Sequence, residues 1–254
     1  MTRIIMNGCN GHMGQSISKI VSQMTDAKIV AGVAPSGNQL SDYPVFSDID
    51  QCNVLADVII DFSSPKATDH LIDYCERTNT PIVLCTTGLS DDQITRVTEL
   101  ATKVAVLRSA NMSLGINTLF TLLKQAAGVL AQAGYDMEIV EKHHNKKLDA
   151  PSGTALALAD VLRETAGEDY FYRYDRSKLR EKRDPKEIGI SAVRGGTIVG
   201  EHDVIFAGED EVITISHTAY SKAVFGKGAV EAAIFLAKKK TGLFDMQDVI
   251  AARI

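Results

Sequence analysis

From Arg3 to Leu107 the chain alternates short, unbroken apolar runs with helical stretches, and that alternation leaves few folds open. The runs are Arg3 to Met6, Ile29 to Val33, Val54 to Phe62, Ile82 to Cys85 and Val104 to Leu107. Between the first two, Ile17, Ile20, Val21 and Met24 recur at helical spacing. Helices also fit Ala67 to Arg77 and Asp91 to Ala101. Strands that are apolar on both faces and separated by helices predict a parallel sheet covered on both sides.

The first strand runs directly into Gly8-Cys9-Asn10-Gly11-His12-Met13-Gly14. Glycines at this spacing allow a tight strand-to-helix turn and let the backbone approach a pyrophosphate. The helix that follows offers unpaired N–H groups and a partial positive charge. A plain tight turn needs the same residues. The position, between the first strand and the first helix of an alternating chain, favours the dinucleotide reading. The second strand ends Val33-Ala34-Pro35-Ser36, with neither the carboxylate nor the arginine that would choose between NADH and NADPH.

The pattern changes after Asn111. One long helix is predicted over Gly115 to Ala133, a strand over Met137 to His143 and a helix over Thr154 to Glu164. Three strand-like runs follow without helices: Ile188 to Val193, Thr197 to Phe206 and Val212 to His217. An amphipathic helix is predicted over Gly228 to Lys239. The expected fold class is α/β: an N-terminal Rossmann-type parallel sheet, then a second α+β domain on a mixed or antiparallel sheet. The division is a dinucleotide-binding domain at 1–113 and a substrate-binding, catalytic and oligomerisation domain at 114–222.

Composition removes several alternatives. A net charge of −5 gives no general attraction to nucleic acid or anionic membrane, so no such partner is expected. The basic stretch holding Arg173, Arg176, Lys178, Arg180, Lys182 and Arg183 is interspersed with acids and is expected to be solvated loop. Cys9, Cys52, Cys75 and Cys85 form no CxxC pair, which speaks for buried thiols in a reducing compartment. The N-terminus shows no cleavable leader, and no apolar run approaches the roughly 18 residues of a membrane span. A cytoplasmic protein is expected.

The most informative stretch is Glu141-Lys142-His143-His144-Asn145-Lys146-Lys147-Leu148-Asp149-Ala150-Pro151-Ser152-Gly153-Thr154-Ala155. Histidine donates and accepts protons near neutral pH, and a lysine among other cations does so too. Ser152, Gly153 and Thr154 fall at a helix start, where unpaired N–H groups hold a carboxylate. Adjacent histidines on a strand point to opposite faces and no further residue has ligand spacing, so no metal is expected. Individually these residues read as surface charge and an N-cap; together they suit a small substrate bearing carboxylates.

This stretch resembles the signature of the 4-hydroxy-tetrahydrodipicolinate reductase family of bacterial lysine and diaminopimelate synthesis. The likeness continues in the glycine turn, in Thr86-Thr87-Gly88, and in Ser109-Ala110-Asn111-Met112-Ser113. It extends to Arg194-Gly195-Gly196, Gly200-Glu201-His202, Ile215-Ser216-His217 and Gly242-Leu243-Phe244-Asp245-Met246, so it spans essentially the whole chain.

The resemblance implies that His143 is the general acid–base residue and Lys147 the proton donor. It implies that His144, Gly153 and Thr154 bind substrate carboxylates. Gly8, Cys9, Asn10, Gly11, His12 and Met13 would hold the pyrophosphate of NADH or NADPH. Cys85, Thr86 and Thr87, with Ser109, Ala110, Asn111 and Met112, would line the nicotinamide side. Residues 223–254 would return to the first domain, with Lys222 and Phe225 near substrate or cofactor. A homotetramer is also implied. Two positions depart from the family pattern: His12, where Arg or Lys is frequent, and Cys85, where glycine is common. The rival readings are a neighbouring dehydrogenase class, which would lack this His-Lys spacing, and a dinucleotide-sensing regulator. The regulator would need a DNA-binding element, and no basic recognition helix is visible.

Overall fold

The strand β1 (Thr2–Asn7) lies inside a sheet because its apolar side chains are buried on both faces. Ile4 and Met6 enter one core and Ile5 the other. The structure is a computed structural model and describes residues 1–253. After β1 come α1 (His12–Val21), β2 (Ala27–Val33), β3 (Val45–Phe46), a 3-10 turn (Ile49–Gln51), β4 (Val58–Asp61), α2 (Pro65–Thr78), β5 (Ile82–Leu84), α3 (Asp91–Ala101) and β6 (Ala105–Leu107). The chain continues through α4 (Leu114–Leu130), β7 (Asp136–His143), α5 (Gly153–Ala166), β8 (Phe171–Arg173), β9 (Glu187–Arg194), β10 (Gly200–Ala207) and β11 (Val212–Ala219). It ends with α6 (Ala223–Leu236), β12 (Gly242–Phe244) and α7 (Met246–Ala251).

Two compact units result: Met1–Leu114 with Ala223–Ile254, and Gly115–Lys222. The first holds a parallel sheet in the order β12-β6-β5-β4-β1-β2-β3. One face is covered by α1, α6 and α7 through Ile17, Val21, Val230, Leu236 and Val249. The other is covered by α2 and α3 through Leu71, Ile72, Val97 and Leu100. The strand order reverses between β1 and β4, the switch point where a doubly wound sheet opens a crevice at its carboxyl ends. The expected Rossmann-type sheet is present.

The second unit holds a mixed sheet, β11-β10-β7-β9-β8. β10 is antiparallel to β7 and β11, while β9 runs parallel to β7 and β8. Strict alternation along β7 and β10 puts Met137, Ile139, Val204 and Phe206 into one core with α4 and α5. β11 is an edge strand with Val212 and Ile213 exposed.

Several expectations need correction. The run from Val54 is strand only from Val58, because Asp57 turns aside to pair with Arg3 at 2.7 Å and Leu55 is exposed. α1 stops at Val21, short of Met24. α4 ends at Leu130, short of Ala133, and β10 starts only at Gly200, after a turn at Gly196 and Thr197 and two irregular residues. The last long helix begins at Ala223 and is buried nearly all round rather than amphipathic, being sandwiched in the first core. β3, β8 and β12 were too short to show any periodicity. Among the described residues no helix is long and apolar enough to cross a membrane.

Candidate active site

The glycine turn follows from what lies under it. Gly8 has φ +82°, and a Cβ there would sit 2.3 Å from the Phe62 carbonyl oxygen. A Cβ at Gly14 would come within 2.3 Å of the Gly8 carbonyl oxygen. The turn therefore lies flat on the end of β4, a backbone cradle that any side chain would fill. α1 starts on Gly11 without a side-chain cap, so its first N–H groups are left for a ligand. Asn10 ties the turn to the end of β2, its Nδ2 donating to the Asn38 carbonyl at 2.9 Å and to Ser36 Oγ at 3.3 Å. Cys9 is buried and contributes main chain, His12 is exposed and Met13 is half-buried. A cleft of about 510 Å³ opens beside the turn, walled by the ends of β2 and β4, the turn after β3, and α2. This cradle, uncapped helix and cleft fit a dinucleotide.

Beneath the same crevice lies a fully buried carboxylate, Asp61. It accepts from Asn7 Nδ2 at 2.7 Å and from the Thr86 hydroxyl at 2.6 Å. Thr86 Oγ1 in turn accepts the Ser63 N–H at 3.1 Å. Burial pushes the Asp61 carboxyl above its ordinary value, against the hydrogen bonds from Ser63, Thr86 and Asn7. The Thr86 side chain is thus anchored inward, while Thr87 is exposed. Burial, then the nearby Asp61, push the Cys85 thiol up, so it is no thiolate. Ser109 Oγ donates to the Asn111 carbonyl at 3.2 Å, and Asn111 Oδ1 accepts the Ser113 N–H at 2.8 Å, so this loop holds its own shape. Ala110 is exposed, and the Met112 side chain is in the core.

In the second unit the chemistry gathers around another fully buried acid, Glu141. Its Oε2 takes His143 Nδ1 at 2.6 Å. Arg194 clamps both oxygens, at 2.7 and 2.8 Å, and also donates to the Asp149 carbonyl at 2.6 Å. The Ser152 N–H donates to Oε1 at 2.9 Å. Burial pushes the Glu141 carboxyl up, but Arg194, His143 and the Ser152 N–H outweigh it and hold the group below its ordinary value. Sheet register delivers the partners: Arg194 lies beside His143 on β9, His202 beside Glu141 on β10, and His217 beside His202 on β11. His202 packs edge-on to His143 with ring centres 5.2 Å apart, and its Nε2 meets Ser152 Oγ at 3.1 Å. Burial, then His143, press the His202 pKa down to about 4, so it is neutral. Burial lowers His217 as well. Ring atoms Nδ1 of His144, His202 and His217, and Arg194 Nε, are buried without a hydrogen-bond partner.

At the helix start the expected pattern is altered. The Ser152 N–H is not free but engaged by Glu141, and Ser152 Oγ caps α5 by accepting the Ala155 N–H at 3.1 Å. Lys147 Nζ lies 2.8 Å from Asp149 Oδ1, and the Gly153 backbone hydrogen-bonds the same carboxylate. A carboxylate of the chain itself thus occupies the lysine and helix-start groups, with Thr154 half-buried beside them.

The sequence motif does not single out Glu141, Arg194, His202 or His217. Glu141 lies inside the quoted stretch, where an acid two residues before a histidine on one strand face is a usable signal. Arg194 and His202 stand 53 and 50 residues from their partners and are joined only by register. In the basic stretch, Arg173 and Arg176 pair with Glu187, and Arg183 with Asp136 and Glu138. Asp48, Asp50 and His70 are a group of three exposed side chains with atoms within 4.8 Å of one another, and Asp50 also pairs with Arg77.

Comparison with known proteins agrees along the whole chain. Residues 2–112 match the family model for the N-terminus of dihydrodipicolinate reductase, and residues 115–250 that for its C-terminus. The chain is 51% identical over 250 residues to the 4-hydroxy-tetrahydrodipicolinate reductase of Caldanaerobacter subterraneus subsp. tengcongensis, with 98% of each chain covered. It is 46% identical over 253 residues to that of Clostridium novyi, with 100% of each covered. Among solved structures, dipicolinate-bound dihydrodipicolinate reductase from Paenisporosarcina sp. TG-14 superposes with TM-score 0.82 at 25% identity, covering 98% of this chain and 99% of the other. A probable dehydrogenase from Thermotoga maritima, at 12% identity and TM-score 0.58, shares the fold.

Proposed function

The chain belongs to the dihydrodipicolinate reductase family, and from that premise we propose how its residues divide the work. The enzyme reduces 4-hydroxy-tetrahydrodipicolinate to tetrahydrodipicolinate with loss of water, in lysine and diaminopimelate biosynthesis. A reduced nicotinamide cofactor supplies the hydride. The turn Gly8 to Met13 holds its pyrophosphate on unpaired N–H groups, and Cys85 to Thr87 with Ser109 to Met112 border the nicotinamide. Asn10 and the main chain of Cys9 do the positioning, while His12 adds little fixed charge. Residues 1–113 with 223–254 form the cofactor domain and 114–222 the substrate and catalytic domain.

The observation that carries the catalytic reading is the bond from His143 Nδ1 to Glu141 at 2.6 Å. An ionised acid, clamped by Arg194, accepts a hydrogen bond from Nδ1–H, so the ring is fixed and Nε2 is the atom that exchanges protons. Lys147 Nζ donates the proton at the reacting ring. His144, Gly153 and Thr154 bind the carboxylates, which displace Asp149 from Lys147 and Gly153. Unpartnered ring nitrogens of His144, His202 and His217 furnish further polar contacts for a dicarboxylate. Fixed cations and helix N–H groups stabilise the charge that develops during reduction.

Oxidation of NADH and of NADPH, followed separately with freshly made product of dihydrodipicolinate synthase, tests this reading. Absence of turnover with both cofactors overturns it. Four free cysteines support a reducing, cytoplasmic setting. A homotetramer through the second sheet is supported by the exposed apolar edge at Val212 and Ile213 and by the family resemblance; light scattering at assay concentration tests it.

A further inference from the structure

We propose that Asp48, reaching the adenosine part of the cofactor cleft from the turn after β3, makes this enzyme select NADH over NADPH; the proposal rests on the reductase reading above. The position that ordinarily makes this choice, the end of β2, carries Ala34, Pro35 and Ser36 and cannot make it. The choice must come from whatever else lines the cleft. With the pyrophosphate on the glycine turn, the remaining wall is furnished by Ser36, Ser47, Asp48 and His70. Among the described residues no lysine or arginine lines the cleft, and its titratable side chains are Asp48 and His70.

Of the two, Asp48 presents the negative charge, which the His70 imidazole offsets in part, its pKa being raised by the hydrogen bond to Asp48. Asp48 Oδ1 accepts the Asp50 N–H at 2.8 Å and meets His70 Nε2 at 3.0 Å. Its Oδ2 has no hydrogen bond among the described residues, and the side chain is half exposed. Those contacts, led by the Asp50 N–H, hold the Asp48 carboxyl below its ordinary value, so it is ionised at neutral pH. Arg77 is engaged by Asp50. An unmodified ribose brings two hydroxyl donors, which a free carboxylate oxygen accepts. A 2′-phosphate brings a charge of about −2 at neutral pH and acceptors only, and meets the free Asp48 oxygen, the His70 imidazole being committed to Oδ1.

The test is calorimetric titration of the full-length protein with NADH and with NADPH at low salt, independent of turnover. NADH is expected to bind about tenfold tighter or more, the scale of one uncompensated like-charge contact. Asp48→Asn keeps the acceptor for Asp50 N–H and removes the charge; it should narrow the ratio mainly by strengthening NADPH. Ser47→Arg, which leaves Asp48 in place, should move the ratio the same way. Equal affinities in the wild type, or a ratio unmoved by Asp48→Asn, overturn the proposal and leave the reductase reading standing. Binding of neither nucleotide overturns both.

Discussion

Asp61 in the first unit and Glu141 in the second are both fully buried carboxylates, and the two behave in opposite ways. Asp61 in the first unit faces neutral donors, Asn7 and Thr86, and burial raises its pKa. Glu141 in the second faces a guanidinium and an imidazole, and its pKa is lowered in spite of burial. Burial is common to both, so the charge of the partners decides whether an interior acid stays ionised. The lesson is functional. The ionised acid is the one that touches His143, the histidine proposed to transfer protons, while the acid inclined to hold its proton braces a loop.

The sharpest way to break this contrast is to remove each charge while keeping the shape. Glu141→Gln leaves the largely buried Arg194 guanidinium without its counter-charge and should cost about 3 kcal/mol at pH 7 by urea denaturation. A lowered folded pKa gives stability that is present above the ordinary carboxylate range and lost as pH falls through the folded value. Variant and wild type should therefore converge in acid. Next, His143→Ala or Lys147→Ala should lower kcat by about 100-fold or more, the effect of a positioned acid–base group. Wild-type turnover in either would remove the reason for ionising Glu141.

Asp61→Asn should do the reverse of Glu141→Gln. A raised folded pKa gives stability that is full below the unfolded pKa and lost as pH rises through the folded value. The Asn variant escapes that loss and should be more stable than wild type by about 1–2 kcal/mol at pH 8, with little difference at pH 4. A variant that is less stable at pH 8 would show Asp61 to be ionised and the contrast false. The smallest effect belongs to Asp149, whose carboxylate competes at Lys147 and Gly153. Asp149→Asn should lower the KM for 4-hydroxy-tetrahydrodipicolinate about two- to fivefold, the worth of an exposed ion pair, measured by steady-state kinetics.

Much of this was legible in the residues. β1, β2, β5 and β6 are apolar on both faces and announce a parallel sheet, and the glycine turn stands where such a sheet needs it. What was hidden depends on strand register. Nothing local to Arg194 says that it will clamp an acid at 141, and nothing near His202 says that it will stack on His143; pairing of β7 with β9 and β10 creates both contacts. Asp61 was hidden because a lone acid ending an apolar run looks like the start of a loop. The helix start at Ser152 is not free because Glu141, on the preceding strand β7, accepts its N–H.

The first unit is assembled from both ends of the chain, with α6 and β12 drawn from the last thirty-odd residues. A ribosome releases those residues after the whole of the inserted unit. That unit therefore has all its parts while the sheet of the first unit, whose glycine turn is already made, still lacks a covering helix and an edge strand. Such a sheet exposes apolar surface and an unpaired edge until α6 and β12 arrive.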